Sequence, residues 1–335
     1  MLRWIAAGLA PLTFLGALAA LLYPPSFLIF ADWFLWFFAI TMLALGLVLD
    51  PKEFVETLRR PREIGLGLAT QFTVMPLLGF LAAYWSGLDP RLALGFVIVG
   101  CAPGAMASNV IVFLAGGAVA YSVTLTSFAT FLSPVVTPAL VEWLGGVFLP
   151  IPFWPMMQTI LLTVLLPLAG GMVLRRRLRR FEAAARHAAP AVAVLSIVVI
   201  IGYAVAANHA ALLSVGPSVF LWVILVNGLG YVAGWNLARL YGFDRRYQLT
   251  LMIEVGMQNA GLGVALALRH FEAETALPGA LFATWCVLTA AGASSWLRRR
   301  GRVPGPGLTE SISETLLRPQ PTDTGTEAGR RPPDV

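Results

Sequence analysis

Three polar side chains stand close together in the otherwise apolar stretch "IEVGMQNAGLG": Glu254, Gln258 and Asn259. A carboxylate and two amides supply several hard oxygen atoms, which are the ligands that a small hard cation prefers. In the hydrocarbon core of a membrane, an uncompensated carboxylate costs about 3 kcal/mol on insertion scales. In such surroundings Glu254 therefore needs a cation, a proton or a hydrogen-bonded partner.

A second stretch, "CAPGAMASNV", adds Ser108 and Asn109 to these candidate ligands. Ser122 and Thr126 lie four residues apart, so they share one face of a predicted helix. Gln71, within the apolar segment "LATQFTVMP", supplies a further amide oxygen. Each hydroxyl taken singly more often bonds back to its own helix. It is the combination of oxygen-bearing side chains that predicts a cation site.

The elements that carry these residues are predicted to be membrane spans. The chain is 58% hydrophobic and only 12% charged, with a mean hydropathy of +0.78, which is typical of a membrane protein. Apolar runs of about 20 residues are long enough to cross the bilayer as helices. Ten such spans are predicted, at about 4–23, 30–49, 64–86, 92–115, 119–141, 154–174, 189–207, 216–240, 248–270 and 276–297.

The basic residues predict the orientation of these spans. With the N-terminus in the cytoplasm, all of the 23 Lys and Arg except Arg91 and Arg269 fall on the cytoplasmic side. The positive charge therefore reports topology, and no nucleic-acid partner is expected. Both termini are predicted to be cytoplasmic in a multi-pass protein of the inner (plasma) membrane. The segment 298–335, rich in Pro, Gly, Thr and Arg, is predicted to be a disordered cytoplasmic tail.

The ten predicted spans divide into two halves, 1–148 and 149–297, at the uncharged "GGVFLPIPFWP". In each half the fourth span carries the polar interruption. An odd number of spans places the two halves in opposite orientations, which is typical of inverted-repeat secondary transporters with discontinuous helices at the binding site. The predicted fold is therefore an all-α integral membrane protein of two inverted five-helix repeats.

A broken helix also offers an anion site. The N-terminus of each returning half-helix presents free N–H groups and a partial positive charge. Asn109 and Asn259, at corresponding places in the two breaks, are predicted to meet a substrate carboxylate there. Hydrogen bonding between helices is the alternative role for either asparagine. The two cysteines, Cys101 and Cys286, lie in predicted spans and indicate neither a disulfide framework nor a metal site.

The motifs "CAPGAMASNV", "AVAYSVTLTSFATFLSPVVTPAL" and "IEVGMQNAGLG", the last followed by "HF" and "LPGALF", occur in this order along the chain. In these motifs, and across nearly the whole chain outside the tail, the sequence resembles the bile acid:sodium symporter family. The resemblance implies a core domain of spans 3–5 and 8–10 beside a panel domain of spans 1, 2, 6 and 7. It also implies that broken spans 4 and 9 cross.

The resemblance further implies two sodium ions and a substrate contact. The ligands implied for the first ion are Ser108, Asn109, Ser122, Thr126 and Glu254. Those implied for the second ion are Gln71, Glu254, Gln258 and the backbone carbonyls of Val255 and Met257. Asn259 matches the family position that faces substrate at the crossover.

Two departures from the family pattern concern the substrate. Met106 stands where bacterial bile-acid-transporting members have Thr, and "WCV", which contains Cys286, stands where they have an aromatic-His-Asn run. The missing hydroxyl and amide remove hydrogen bonds to a substrate. Met106 and Cys286 are therefore predicted to line a substrate site that prefers a different anion. The expected substrate is a smaller organic anion than a bile acid, such as pantoate, pantothenate or a keto acid, and a bile-acid-like anion is the alternative.

The leading interpretation is a sodium-coupled symporter that imports an organic monoanion by alternating access. An enzyme is not expected, because His187, His209 and His270 fall scattered at span ends and form no cluster with a nucleophile or metal ligands. A proton-coupled carrier, in which Glu254 titrates instead of binding sodium, is the closer alternative. It predicts uptake driven by a pH gradient in sodium-free buffer.

Overall fold

The computed structural model describes residues 9–48, 60–177 and 182–299. Several residues used for the topology prediction, including Arg3, Lys52 and Arg180, lie outside the described residues, as does the predicted tail from residue 300 on. Apart from one isolated β-bridge, the regular structure within the described ranges is helical. The helices are α1 (Leu9–Leu22), α2 (Pro25–Leu28), α3 (Phe34–Val48), α4 (Pro61–Trp85), α5 (Pro90–Cys101), α6 (Ser108–Ala115), α7 (Val119–Gly145), α8 (Phe153–Ile160), α9 (Leu166–Arg177), α10 (Glu182–Ala207), α11 (His209–Leu240), α12 (Arg245–Gly256), α13 (Ala260–His270) and α14 (Leu277–Arg299), with a π-helical turn at Leu161–Leu165 and a 3-10 turn at Ala273–Ala276.

Several of these helices are apolar enough to enter a membrane. By length and composition, the helical stretches within the described ranges that could cross one are Pro61–Trp85, Val119–Gly145, Phe153–Arg175 and Pro217–Leu240. Shorter apolar helices cover Pro11–Leu22, Phe34–Leu47, Pro90–Cys101 and Ala191–Ala207. Large apolar side chains such as Trp143 and Leu162 are exposed on the helix surfaces. An exposed apolar exterior of this extent is stable where the solvent is lipid.

The first predicted interruption is confirmed, because α5 ends at Cys101 and α6 begins only at Ser108. Pro103 disfavours a helical conformation for the residue before it, and Ala102 is accordingly extended at φ −67° and ψ 153°.

The second predicted interruption is confirmed as well, since α12 ends at Gly256 and α13 begins at Ala260. This break contains no proline. Met257 is extended at φ −106° and ψ 100°, and Asn259 starts the next helix by accepting a hydrogen bond from the Leu262 N–H. An asparagine in this N-cap position satisfies one of the free N–H groups of the new helix.

The two breaks bond to each other through the backbone. The Ala105 N–H donates to the Met257 carbonyl at 2.9 Å, and the Asn259 N–H donates to the Pro103 carbonyl at 2.8 Å. Gly104 and Gln258 form the antiparallel bridge between these bonds. Each interrupted segment therefore supplies partners for backbone groups that the other leaves without a helical bond.

The surrounding helices pack closely against the broken ones. α4 packs on α5, and α11 packs on α12. In addition, α10 packs on α1 and α3, and α9 packs on α3. A Cβ atom at Gly79 would lie 2.5 Å from the Phe96 carbonyl oxygen and 3.3 Å from the Gly100 Cα. Glycine is needed at Gly79 because it lets the α4 and α5 backbones approach directly, as small residues do in membrane helix pairs.

Helix α11 differs from its predicted span, since it starts at His209 and not near residue 216. The predicted loop there is reduced to Asn208, which stands between α10 and α11 and bonds through its side-chain N–H to the Ala204 carbonyl at 2.8 Å. The sequence "HAALLSV" that follows contains good helix formers and no turn signal, so the helix continues through it.

Candidate cation and substrate site

Glu254, in the last turn of α12, is the centre of the first cluster. Its side chain is 1% exposed, and three hydroxyl groups donate to its carboxylate. Ser108 of α6 lies 2.5 Å from Oε1, Ser122 of α7 also bonds to Oε1, and Thr126 of α7 lies 2.7 Å from Oε2. The structure thus brings together predicted ligands from both halves of the sequence.

The hydroxyl groups of this cluster face more acceptors than they have protons. Ser122 Oγ bonds to the carboxylate and also lies 2.7 Å from Asn109 Oδ1. Thr126 Oγ1 likewise bonds to the carboxylate and also lies 2.9 Å from the Ser122 carbonyl. Each hydroxyl carries a single proton and two lone pairs. Oxygen lone pairs that converge in excess of donors suit a bound cation, so the chemistry of this cluster fits one.

A second cluster of oxygens is formed by two buried amides, Gln71 of α4 and Gln258 in the second break, each 1% exposed. Gln71 Nε2 donates to Gln258 Oε1 at 2.9 Å, and Gln258 Nε2 donates to the Val255 carbonyl at 2.9 Å. With the Gln71 amide turned over, its nitrogen lies 3.3 Å from the Glu254 backbone carbonyl. In both orientations the amides contact backbone at the C-terminal end of α12, next to the first cluster.

The break frees carbonyl groups of α12 for this second cluster. The Asn259 N–H, which in a continuous helix would bond to Val255, is taken by the other break. The Val255 carbonyl instead accepts from the Gln258 side chain, beside Gln71. The Met257 carbonyl accepts from the Ala105 N–H and so belongs to the bridge between the breaks. Each carbonyl oxygen has two lone pairs, so both retain a further acceptor site.

Three of the four residues predicted to contact substrate are partly exposed, and one of the three, Asn109, is also a predicted sodium ligand. Met106, Asn109 and Asn259 are partly exposed, whereas Glu254 and Gln258 are buried. Asn259 is the N-cap of α13, but Asn109 is the second residue of α6, so the two asparagines differ in position relative to their helices. The oxygen of Asn109 faces Ser122, and for this reason it joins the first cluster.

Cys286 of α14, also predicted to contact substrate, is 2% exposed. Its thiol lies 3.6 Å from the Ala283 carbonyl of its own helix. The neighbouring Trp285 is partly exposed and meets the Phe220 ring edge-on, with 5.1 Å between ring centroids.

Sequence reasoning missed three residues that build the site. A Cβ atom at Gly104 would lie 3.1 Å from Glu254 Oε2, so the first break approaches the carboxylate through a glycine backbone. Asn227 of α11 donates to the Gly256 carbonyl at 2.8 Å, and Thr250 of α12 accepts from the Ala118 N–H at 2.8 Å. Gly104 follows a proline in a predicted break, and this signal could have identified it.

The described part of the chain contains no cluster of the side chains that usually bind transition metals. Within it, no group of three or more His, Cys, Asp or Glu side chains is placed to hold a metal ion. His270, at the end of α13, pairs with the Thr159 hydroxyl of α8 at 2.9 Å. The oxygen-rich clusters around Glu254 and Gln258 are therefore the candidate cation sites of the described structure.

The chain is similar in sequence to a known protein family and to several of its members. The family model described as the Sodium Bile acid symporter family matches residues 35–215. The chain is 40% identical over 263 residues to the "Uncharacterized sodium-dependent transporter YocS" of Bacillus subtilis (strain 168), which covers 78% of this chain and 82% of that protein. It is 34% identical over 269 residues to the "Probable sodium/metabolite cotransporter BASS1, chloroplastic" of Arabidopsis thaliana, with 80% of this chain and 67% of that protein covered. The rice protein of the same name is 36% identical over 242 residues, and the match spans 72% of this chain and 60% of the rice protein.

Proposed function

This chain belongs to the sodium bile acid symporter family, and from that premise we propose that it is a sodium-coupled symporter that imports a small organic anion by alternating access. Its family and relatives are transporters, and the chain is a multi-pass membrane transporter and not an enzyme. The observation that carries the proposal is the convergence of three hydroxyls on the buried carboxylate of Glu254, beside a helix break that frees backbone carbonyls.

Two sodium ions are assigned to the two oxygen clusters. The assignment is supported by the surplus of acceptors over hydroxyl protons around Glu254, and by the contact of the two buried glutamines with the end of α12. The first ion is assigned to Ser108, Asn109, Ser122, Thr126 and Glu254. The second is assigned to Gln71, Glu254, Gln258 and the carbonyls of Val255 and Met257.

The proposed architecture has ten spans in two inverted repeats, 1–148 and 149–297, followed by a cytoplasmic tail at 298–335. The core would contain α4–α7 and α11–α14, and the panel α1–α3 and α8–α10. The backbone bonds between the two breaks support a single core, and the packing of α10 on α1 and α3 supports a separate panel. Movement of the panel against the core would expose the site to each side of the membrane in turn.

The substrate is assigned to the partly exposed face beside the breaks, which presents Met106, Asn109 and Asn259, with Cys286 on the adjoining α14. The starts of α6 and α13 supply N–H groups and a positive dipole end, which favour a carboxylate. Met106 offers no hydroxyl to such a ligand, and for this reason the proposed substrate is a compact anion such as pantoate, pantothenate or a keto acid.

The proposed location is the plasma membrane, with both termini in the cytoplasm. Cysteine labelling tests the orientation because the two native thiols are buried. A cysteine at Ala210, an exposed residue near the start of α11, should react with an impermeant maleimide from outside the cell. A cysteine at exposed Arg245 should react only after permeabilisation. The reverse pattern would refute the proposed topology.

Uptake into proteoliposomes tests the coupling. Two sodium ions with one monoanion move one net positive charge, worth about 2.3 kcal/mol at 100 mV, and a tenfold sodium gradient adds about 1.4 kcal/mol per ion. The sum of about 5 kcal/mol would support accumulation of a few thousandfold. Uptake should require sodium and accelerate when the interior is negative. Uptake driven by a pH gradient in sodium-free buffer would instead support the proton-coupled alternative, in which Glu254 is the titrating group.

A further inference from the structure

We propose that Asn227 of α11 is a positioning residue for the second sodium ion, because it holds the C-terminal end of α12 in the conformation that presents ligands to that ion. This inference rests on the proposed function, since it assumes that the Gln71–Gln258 cluster binds sodium. Asn227 would not contact the ion. It acts through the carbonyl group of Gly256, which it fixes by a hydrogen bond.

The Gly256 carbonyl needs a partner because of the break. In a continuous helix it would accept from the Ala260 N–H, but that N–H instead donates to the Gln258 carbonyl at 2.8 Å. The Asn227 side chain, 1% exposed, donates from Nδ2 to the Gly256 carbonyl at 2.8 Å. Gly256 lies between Val255 and Met257, the two residues whose carbonyls are assigned to the second ion.

The orientation of the Asn227 amide is itself fixed. A carbonyl oxygen can only accept, so the Gly256 carbonyl faces the amide nitrogen, and the Thr289 hydroxyl of α14, 2.9 Å from Asn227 Oδ1, can donate to the amide oxygen. The same hydroxyl also lies 3.0 Å from the Trp285 carbonyl and 3.1 Å from the Cys286 carbonyl of its own helix. The Tyr231 hydroxyl lies 3.2 Å from the Thr289 hydroxyl and extends the network. An amide whose oxygen is engaged by one helix and whose nitrogen is engaged by another has a single favourable orientation.

The packing of α11 on α12 brings this amide within reach. Asn227, Gly230, Tyr231 and Gly234 are spaced at three, four and seven residues and share one helix face. A Cβ atom at Gly234 would lie 2.8 Å from the Leu251 carbonyl oxygen, and one at Gly230 would lie 3.4 Å from the Gly256 Cα. The two glycines let α11 approach the C-terminal half of α12 closely enough for one asparagine side chain to reach the Gly256 carbonyl.

Loss of the amide would act on sodium through two connected peptide groups. The Gly256 carbonyl would be left buried without its partner and would turn toward another donor. This rotation of the Gly256 carbonyl would move the adjoining Val255 and Met257 carbonyls. The Gln258 side chain would move as well, because it bonds to the Val255 carbonyl. The cluster around the Glu254 carboxylate is held by hydroxyls of α6 and α7, so its geometry depends less on Asn227.

The test is a sodium titration of the uptake of radiolabelled pantoate, one of the compact anions proposed above, by the full-length protein in proteoliposomes, for wild type and Asn227→Leu. We expect the half-maximal sodium concentration to rise about three- to tenfold, corresponding to the loss of one buried hydrogen bond, and the sodium Hill coefficient to fall. Substrate affinity at saturating sodium should stay within about twofold of wild type, because the substitution leaves Met106, Asn109 and Asn259 of the proposed substrate site unchanged. The matched control is Asn236→Leu, because Asn236 lies exposed on the same helix and bonds only to the Val232 carbonyl of that helix among the described contacts.

Thr289→Val provides a second variant that keeps the asparagine but removes the hydroxyl that orients it. It should raise the half-maximal sodium concentration by a smaller factor in the same direction, and it carries the test if Asn227→Leu does not fold. A lower melting temperature with unchanged sodium dependence in both variants would mean a structural role only and would overturn the inference. Wild-type uptake that does not depend on sodium would instead refute the proposed function, so the two failures are distinguishable.

Discussion

Replacement of Glu254 by glutamine should abolish sodium-coupled transport. The substitution keeps the size of the side chain and one carbonyl oxygen, but it removes the negative charge shared by both proposed ions. It also replaces one acceptor oxygen by an NH₂ group. In the present arrangement Ser108 and Ser122 bond to one carboxylate oxygen and Thr126 to the other, so a hydroxyl would lose its acceptor.

The magnitude follows from the geometry of the cluster. Because Glu254 is assigned as a ligand of both ions, each ion would lie within about 4 Å of the centre of charge of the carboxylate. At an effective dielectric constant of about 20, this separation corresponds to about 4 kcal/mol of attraction before desolvation. If only a third of it is realised, sodium binding weakens about tenfold, and the loss acts on both ions.

The measurement is a sodium titration of substrate binding on purified protein, together with uptake in proteoliposomes. Glu142→Gln is the matched control, because Glu142 lies exposed near the end of α7, and it should behave as wild type. A Glu254→Gln protein that binds sodium and transports like wild type would refute the ion assignment. Glu254 would then be a protonated structural residue that bonds to hydroxyls.

Three further substitutions test separate parts of the site. Gln71→Ala touches only the second cluster, so it should raise the sodium concentration for half-maximal uptake and lower the Hill coefficient while some transport remains; full loss of uptake would contradict this. Gly104→Ala places a methyl group 3.1 Å from Glu254 Oε2 and should weaken sodium binding severalfold, whereas Gly65→Ala, which meets nothing within 4 Å, should not. Asn259→Ala should weaken substrate binding more than sodium binding, as measured by titrating each on purified protein, and an equal loss of both would indicate that Asn259 only caps α13.

The positions of the breaks and most of the first cluster could be predicted from the sequence. Pro103 and the polar residues around Gln258 stand out against apolar surroundings, and a four-residue spacing places Ser122 and Thr126 on one face. A buried Glu254 carboxylate needs a cation, a proton or a hydrogen-bonded partner to offset the cost of its charge. These are local rules, and the structure confirms the helix breaks and the contacts between these side chains.

The proline before Gly104 marks its position in the first break, but the partners of Asn227 and Gly104 could not be predicted by the same rules, because those partners are set by tertiary packing. A single asparagine in an apolar span usually bonds between helices, and nothing local identifies its acceptor as the Gly256 carbonyl. The start of α11 at His209 was missed because Asn208 alone gives a weak boundary signal. The sequence pattern of side chains does not indicate which backbone carbonyl a buried amide will bind.

The mutual bonding of the two breaks has a consequence for how the protein is made. The Pro103 carbonyl and the Ala105 N–H enter the membrane early, but their partners at Asn259 and Met257 are synthesised roughly 150 residues later. At about 5–20 residues per second, the first break spends about 8 to 30 seconds without its final partners. Unsatisfied backbone groups are costly in hydrocarbon, so during this interval the first half must recruit water or remain near the translocation channel. Biogenesis of the first half is therefore completed only by the arrival of the second.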